Sequence, residues 1–244
     1  MFFFHLGRYV LLLKSVFSKP ENYRVYWREI VREMDTIGIG SLGIVCIISV
    51  FLGAVTTVQT AFQLVSAIIP LEVIGMITRD STILELSPTI TMLVLAGRVG
   101  SSISSQIGTM RVTEQIDALE IMGVNSSGFL ILPKLIAALT MIPLLIIISM
   151  FLSILGGYVA GSLSGALSPS EYVAGLLRDW NPFIVTVALI KTALFAFIMT
   201  TVSAYQGFYT SGGALEVGKS STKAVVYSCI LILCADYIVA QLLL

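Results

Sequence analysis

Arg98, Lys191 and Asp236 each interrupt an apolar stretch long enough to cross a bilayer. A charge at the centre of such a stretch costs about 2.5–3.5 kcal/mol on insertion scales, so each one needs a partner or a water-filled path. At about 1.5 Å per helical residue, Lys191 and Asp236 fall within about 5 Å of one depth in a core of about 30 Å. A Lys191 to Asp236 contact is the expectation, with Arg98 as a competitor for the carboxylate. Such a charge network either fixes helix register or takes part in transport, and the residues alone leave both open.

Other chemistry is sparse. Gly213 to Ser220 reads G-A-L-E-V-G-K-S and fits the phosphate-binding pattern G-x-x-x-x-G-K-S. That loop works only between a buried strand and a helix of an α/β domain. Here an apolar span precedes it and another follows, so the match is a coincidence. Serines abound, but the single His5 lies in the N-terminal region and no embedded His or paired Asp accompanies them, which argues against an intramembrane enzyme. Cys46, Cys229 and Cys234 lack CxxC spacing and are expected to be packing residues. No metal or cofactor is expected.

The most informative segment is the acidic one at about 112–122. Val112, Ile116 and Leu119 recur at i, i+4, i+7, while Glu114, Gln115, Asp117 and Glu120 supply a polar surface, and Gly123 offers a stop. A helix this short cannot span a membrane but suits a surface gripped by a soluble partner.

These residues are carried by elements of one kind. With 57% hydrophobic and 11% charged residues over 244 positions, the chain reads as an all-α polytopic membrane protein. The formal net charge is zero, which removes the positive field a nucleic-acid binder would need. Uncharged runs place spans at about 41–68, 87–107, 135–162, 183–205 and 224–244. Residues 1–35 mix aromatic and basic side chains, as interfacial amphipathic helices do, with Pro20 dividing them. The N-terminal apolar run is broken by Arg8 and Lys14 and lacks a small-residue cleavage site, so it is expected to stay attached. Arg8, Lys14, Lys19, Arg24, Arg28, Arg32, Arg111, Lys134, Lys219 and Lys223 fall on one side of the spans, against only Arg79 and Arg178 on the other. The positive-inside rule then makes the N-terminus, the acidic helix and the Gly-rich loop cytoplasmic, with the C-terminus, residues 69–86 and residues 163–182 outside. Gly157, Gly161 and Gly165 form a small-residue line that serves packing within the chain or a dimer seam.

The runs G-R-V-G, I-G-T-M-R-V-T-E-Q-I-D-A-L and M-G-V, within residues 96–125, resemble the signature of MlaE/YrbE-type permeases. Y-Q-G-F-Y-T-S-G-G-A-L-E-V-G-K-S-S-T-K-A-V-V, residues 205–226, resembles that family's second signature. The resemblance implies an exporter-like ABC transmembrane domain in the inner membrane, with an interfacial N-terminal helix packed on the transport core. It implies a homodimer around a phospholipid cavity, a separate cytoplasmic ABC ATPase and a periplasmic MCE-domain protein. Arg111, Thr113, Glu114, Gln115, Asp117 and Glu120 would then face the ATPase. Gln59 and Glu85 would lie near the lipid cavity. As bare residues, Gln59 reads equally as a packing amide and Glu85 as a solvated loop carboxylate. L-E-L-S-P, residues 84–88, departs from the family's R-E-L-G-P at Leu84 and Ser87, so a role resting on that Arg is lost. Gln106 stands where the family often has Glu, and no charge-dependent role is assigned to it. The competing reading is an ion-coupled secondary transporter of a small apolar substrate, although five spans do not divide into equal repeats.

Overall fold

The computed structural model describes residues 2–17, 23–64, 70–165 and 167–243, and every regular element among them is a helix. The helices are α1 (Phe2–Val16), α2 (Tyr23–Met34), α3 (Gly40–Gln63), α4 (Glu72–Ser81), α5 (Thr91–Leu95), α6 (Ser101–Val112), α7 (Gln115–Ile121), α8 (Ser126–Leu163), α9 (Pro169–Leu177), α10 (Phe183–Phe208) and α11 (Ala214–Leu243). Five continuous stretches are long and apolar enough to cross a bilayer: Tyr26–Gln63, Glu72–Val112, Ser126–Leu163, Phe183–Phe208 and Ala214–Leu243. The protein is therefore all-α and polytopic.

Helix runs further than hydropathy predicts. α2 does not stop before the first span but passes through a π-helical turn, Asp35–Ile39, directly into α3. Hydropathy marks a change of environment there, and nothing in Asp35–Ile39 removes a backbone donor, so the helix continues. α1 is thus a helix separate from the first span, whereas α2 is continuous with it. The expected outward loop is likewise helical from Glu72, and α4, α5 and α6 join through π-helical turns at Thr82–Ile90 and Ala96–Gly100. Pro88 lies in the first of these turns and Arg98 in the second. A proline removes one rung of the helical ladder, and a wider turn lets the helix continue past it. The division at Pro20 and the far end of the first span, 65–68, lie outside the described residues.

The chain forms two compact units. The first comprises Met1–Ser41, Leu93–Ile142 and Leu194–Gln241. Its core includes Leu12, Val16, Ile30, Ile103, Ile107, Ile131, Leu135 and Met199. α1 packs here with its polar side inward. His5 Nδ1 meets the Tyr205 hydroxyl at 2.8 Å, Tyr9 bonds Thr201 at 2.7 Å, and the Arg8 guanidinium lies 3.8 Å over the Tyr209 ring. Phe3, Phe4, Leu6, Val10, Leu11 and Phe17 point outward. Gly207 allows α10 to approach α6 closely, because a Cβ there would lie 2.6 Å from the Ser104 carbonyl oxygen.

The second unit comprises Leu42–Met92, Pro143–Ala193 and Leu242–Leu244. α3 and α8 touch backbone to backbone, and a Cβ at Gly53 or Gly156 would overlap the carbonyls of Ser153 or Val50. Ser149 joins the contact through Ser49 at 2.8 Å and Thr91 at 3.1 Å. Gly157 faces Thr57 and Tyr172, and Gly161 faces Thr57 and Leu167, so these two pack within the chain. α4 lies on α9, clamped by Arg79. That guanidinium is only 2% exposed, yet it pairs with Asp80 at 2.8 Å and donates to the Leu176 and Arg178 carbonyls, each at 2.7 Å. The sequence showed Arg79 only as an outer basic residue.

Candidate functional site

In the second unit, Ala54, Val55, Val58, Gln59 and Phe62 of α3 and Ala160 of α8 line a groove of about 510 Å³. Gln59 is the single polar residue among them, and it is exposed rather than packed. A trough of aliphatic and aromatic walls with one amide accommodates a hydrocarbon chain and orients one polar group.

Glu85 belongs to the same unit but not to a loop. It sits in the π-helical turn, and its Oε1 accepts from the Lys191 ammonium at 2.7 Å. Lys191 also donates to the Leu84 carbonyl at 3.3 Å. Pro88 has no N–H to offer the carbonyl four residues back, which is Leu84's, so the ammonium is a donor that the proline cannot be. The Lys191 side chain is fully enclosed, while Glu85 keeps 45% of its side chain exposed. One end of the pair is fixed in protein and the other presents a carboxylate oxygen outward. Sequence reasoning missed this pair because the two residues stand 106 positions apart and no local pattern joins them.

The first unit holds the other candidates. Arg98 Nη1 donates to Ser41 Oγ at 2.5 Å, and the guanidinium lies over Gly40. Asp236 is half-buried on α11. The acidic helix is shorter than its periodicity suggests: α6 carries through Val112, Thr113 turns, and Glu114 takes a left-handed φ of 60°, so α7 begins at Gln115. Gly123, at φ 79°, ends it as expected. Ile116 is buried, Val112 and Leu119 are half-buried, and Thr113, Glu114, Gln115 and Glu120 are exposed. Two acidic groups on this surface are engaged at home. Arg111 pairs with Asp117 at 2.6 Å, and Glu120 accepts from Ser126 at 2.8 Å. Beneath the helix, a recess of about 340 Å³ is walled by Leu11, Leu12, Ser15, Glu120 and residues 124–127, together with Phe208 and Tyr209.

A further buried cluster ties the base of this region together. Lys134, 4% exposed, bonds both Glu33 and Gln106. Sequence reasoning had counted Lys134 only toward orientation. At Gln106 an uncharged amide is the acceptor, so the cluster balances one ammonium with one carboxylate.

The stretch around Gly213 to Ser220 is not a phosphate loop. Helix α11 starts at Ala214, so the lysine and serine lie inside it, and Lys219 bonds Glu216 at 2.6 Å.

The family described as Permease MlaE matches residues 30–242 of the chain. The protein belongs to the MlaE permease family. This permease is 37% identical over 241 residues to a probable ABC transporter permease protein of Rickettsia bellii (strain RML369-C), covering 97% of the permease and 91% of the relative. It is 36% identical to the probable ABC transporter permease protein RP096 of Rickettsia prowazekii (strain Madrid E), covering 95% and 88%. It is also 30% identical over 218 residues to the Arabidopsis thaliana protein TRIGALACTOSYLDIACYLGLYCEROL 1, chloroplastic, covering 89% of the permease and 62% of that protein. Two glycines of the first signature serve close packing in this permease. Gly100 lies against Ser203 and Met199, and Gly108 against Val217 and Thr210.

Proposed function

We propose that this permease is the membrane subunit of an ABC transporter that moves phospholipid between the inner membrane and a periplasmic MCE-domain protein, in the service of outer-membrane lipid homeostasis. The apolar groove beside Gln59 is the observation that carries this reading. It accepts an acyl chain, and Glu85, held by Lys191, supplies a polar group for a headgroup. α7 is the coupling helix. It stands between two candidate spans and presents Thr113, Glu114, Gln115 and Glu120 to a cytoplasmic ATPase, with Arg111 and Asp117 bracing its start. Two copies of the permease enclose the cargo path, the N-terminus lies in the cytoplasm and the C-terminus in the periplasm. The permease's similarity to the probable ABC transporter permeases of Rickettsia supports the ABC assignment.

The test is lipid analysis of the permease purified from native membranes. Filling the groove by Val55→Trp with Val58→Trp should remove most of the copurifying phospholipid without unfolding the protein. Retention of wild-type lipid would place the cargo elsewhere. The half-exposed Glu85 carboxylate favours a second reading, ion-coupled transport of a small apolar substrate. Transport in sealed vesicles separates them, because the first needs ATP and a second subunit, and the other needs only an ion gradient.

A further inference from the structure

The exposed apolar side chains of α8 form a row, Leu144, Ile147, Phe151, Leu155, Val159 and Leu163. At about 1.5 Å per residue the row is about 28 Å long, close to the thickness of about 30 Å of a hydrocarbon core. One edge of the core therefore lies at Leu163, which is 83% exposed. Phe183, the exposed first residue of α10, marks the return to it. α9 lies in the connection between these two residues, tied to them by residues 164–168 and 178–182 alone. One side of α9 is fixed on α4. Tyr172 and Gly175 are buried there, and a Cβ at Gly175 would overlap the Glu72 carbonyl. The other side carries Val173 and Leu177, both exposed, with Trp180 just beyond the helix. The Arg79 guanidinium that clamps the end of α9 also lies 5.3 Å from the Trp180 ring centroid and holds the indole beside the helix. The charged residues from 163 to 183 are Glu171, Arg178 and Asp179. Each has a partner, Glu171 in the Ser168 capping box and Arg178 with both Glu72 and Asp179 at 3.7 Å.

We infer that α9 is seated in the lipid headgroup layer, with Val173, Leu177 and Trp180 against the upper part of the acyl chains. The occupant of this face is the bilayer, because exposed apolar surface leads into it from α8 at Leu163 and from α10 at Phe183. A helix at that depth needs one apolar side and charges that are paired or turned to water. Tryptophan is favoured there because its ring is apolar and its N–H is not. Since α9 is locked to α4, the seat also fixes the height of its own unit. Ala160, a wall of the groove beside Gln59, stands one turn before Leu163. That end of the groove then opens level with the headgroups, where an acyl chain can enter. The seat follows from the spans and holds whichever energy source the permease uses.

The experiment uses the purified full-length permease in phosphatidylcholine vesicles. The chain has two tryptophans, Trp27 and Trp180, and Trp27→Phe leaves Trp180 as the sole reporter. Trp27 is exposed, so the variant should keep the wild-type melting temperature. Trp180 emission should be blue-shifted from that of free tryptophan. It should lose the larger part of its intensity to lipid brominated near the headgroup end of the acyl chain and less to lipid brominated near the chain terminus. Iodide on both sides of the vesicle should quench it little. A second reporter, Leu177→Trp in a Trp27→Phe, Trp180→Phe background, should respond in the same order and is free of the Arg79 contact. Strong quenching by iodide with no response to brominated lipid overturns the seat and leaves the face in water. Shielding from both quenchers also overturns it and puts a second copy of the permease against α9. Stronger quenching from the chain terminus overturns the headgroup level in favour of burial in the hydrocarbon core.

Discussion

Lys191 and Glu85 differ in what surrounds them, one enclosed and the other half in the open, so each supports the other unequally. A double-mutant cycle of Lys191→Met and Glu85→Gln, read by thermal unfolding in detergent, should show a coupling of about 1 kcal/mol or more. Additive effects would mean that the 2.7 Å contact contributes nothing. The same cycle with Asp236→Asn tests the pairing expected from depth, where joint neutralisation should be milder than either change alone. Lys134 is enclosed with its partner Glu33, and removal of one member of a buried pair costs about 3–5 kcal/mol. Lys134→Met should approach that loss, and adding Glu33→Gln should restore part of it. Depth could be read from the sequence because apolar runs define it. The identity of neighbours at that depth could not, since Lys191 and Lys134 choose acceptors 106 and 101 residues away.

Helices α3 and α8 meet through glycine, which makes their contact sensitive to a single methyl group. Gly156→Ala would place a Cβ against the Val50 carbonyl and should destabilise by about 2 kcal/mol, within the range for overpacking. Gly43→Ala, in the same α3 but open to space, should instead be neutral or stabilising by up to about 1 kcal/mol. Thermal unfolding of the two variants side by side decides the matter. α9 begins with a capping box in which Ser168 and Glu171 bond reciprocally. The Ser168 hydroxyl and N–H hold the Glu171 carboxyl below its usual pKa. A lowered folded-state value means the contribution is present above the unfolded pKa and is lost as pH falls through the folded one. Amide protection at the start of α9, corrected for the intrinsic pH dependence of exchange, should therefore fall on acidification below the carboxylate range, and Ser168→Ala should weaken that dependence while leaving the part carried by the N–H of residue 168. Helix existence was legible because apolar runs of this length have few alternatives in a bilayer. Helix ends were less so. The continuity of α2 with α3, and of α4 through α6, depends on π turns that relax around Pro88 or a change of polarity, and no hydropathy window registers them.

The bilayer-length helices among the described residues number five, an odd count, so the two ends of the permease should lie on opposite sides of the membrane. An alkaline phosphatase fused at the C-terminus should be active in the periplasm, while one fused at the N-terminus should not. Activity at both ends would require a different count of crossings. The short acidic helix α7 was legible as a helix and in its place, yet its start was not, because Glu114 adopts a conformation that sequence pattern assigns to glycine or asparagine. α1 has a consequence in time. Its polar side rests on α10, and His5 must wait for Tyr205, 200 residues further along. At about 5–20 residues per second of synthesis, that interval is about 10–40 s. Through it the nascent N-terminus carries Arg8, His5 and Tyr9 on one side and bare phenylalanines on the other. The partner that its polar side waits for is the protein's own last third. Assembly of the first unit is thus completed from the end of the chain back to its beginning.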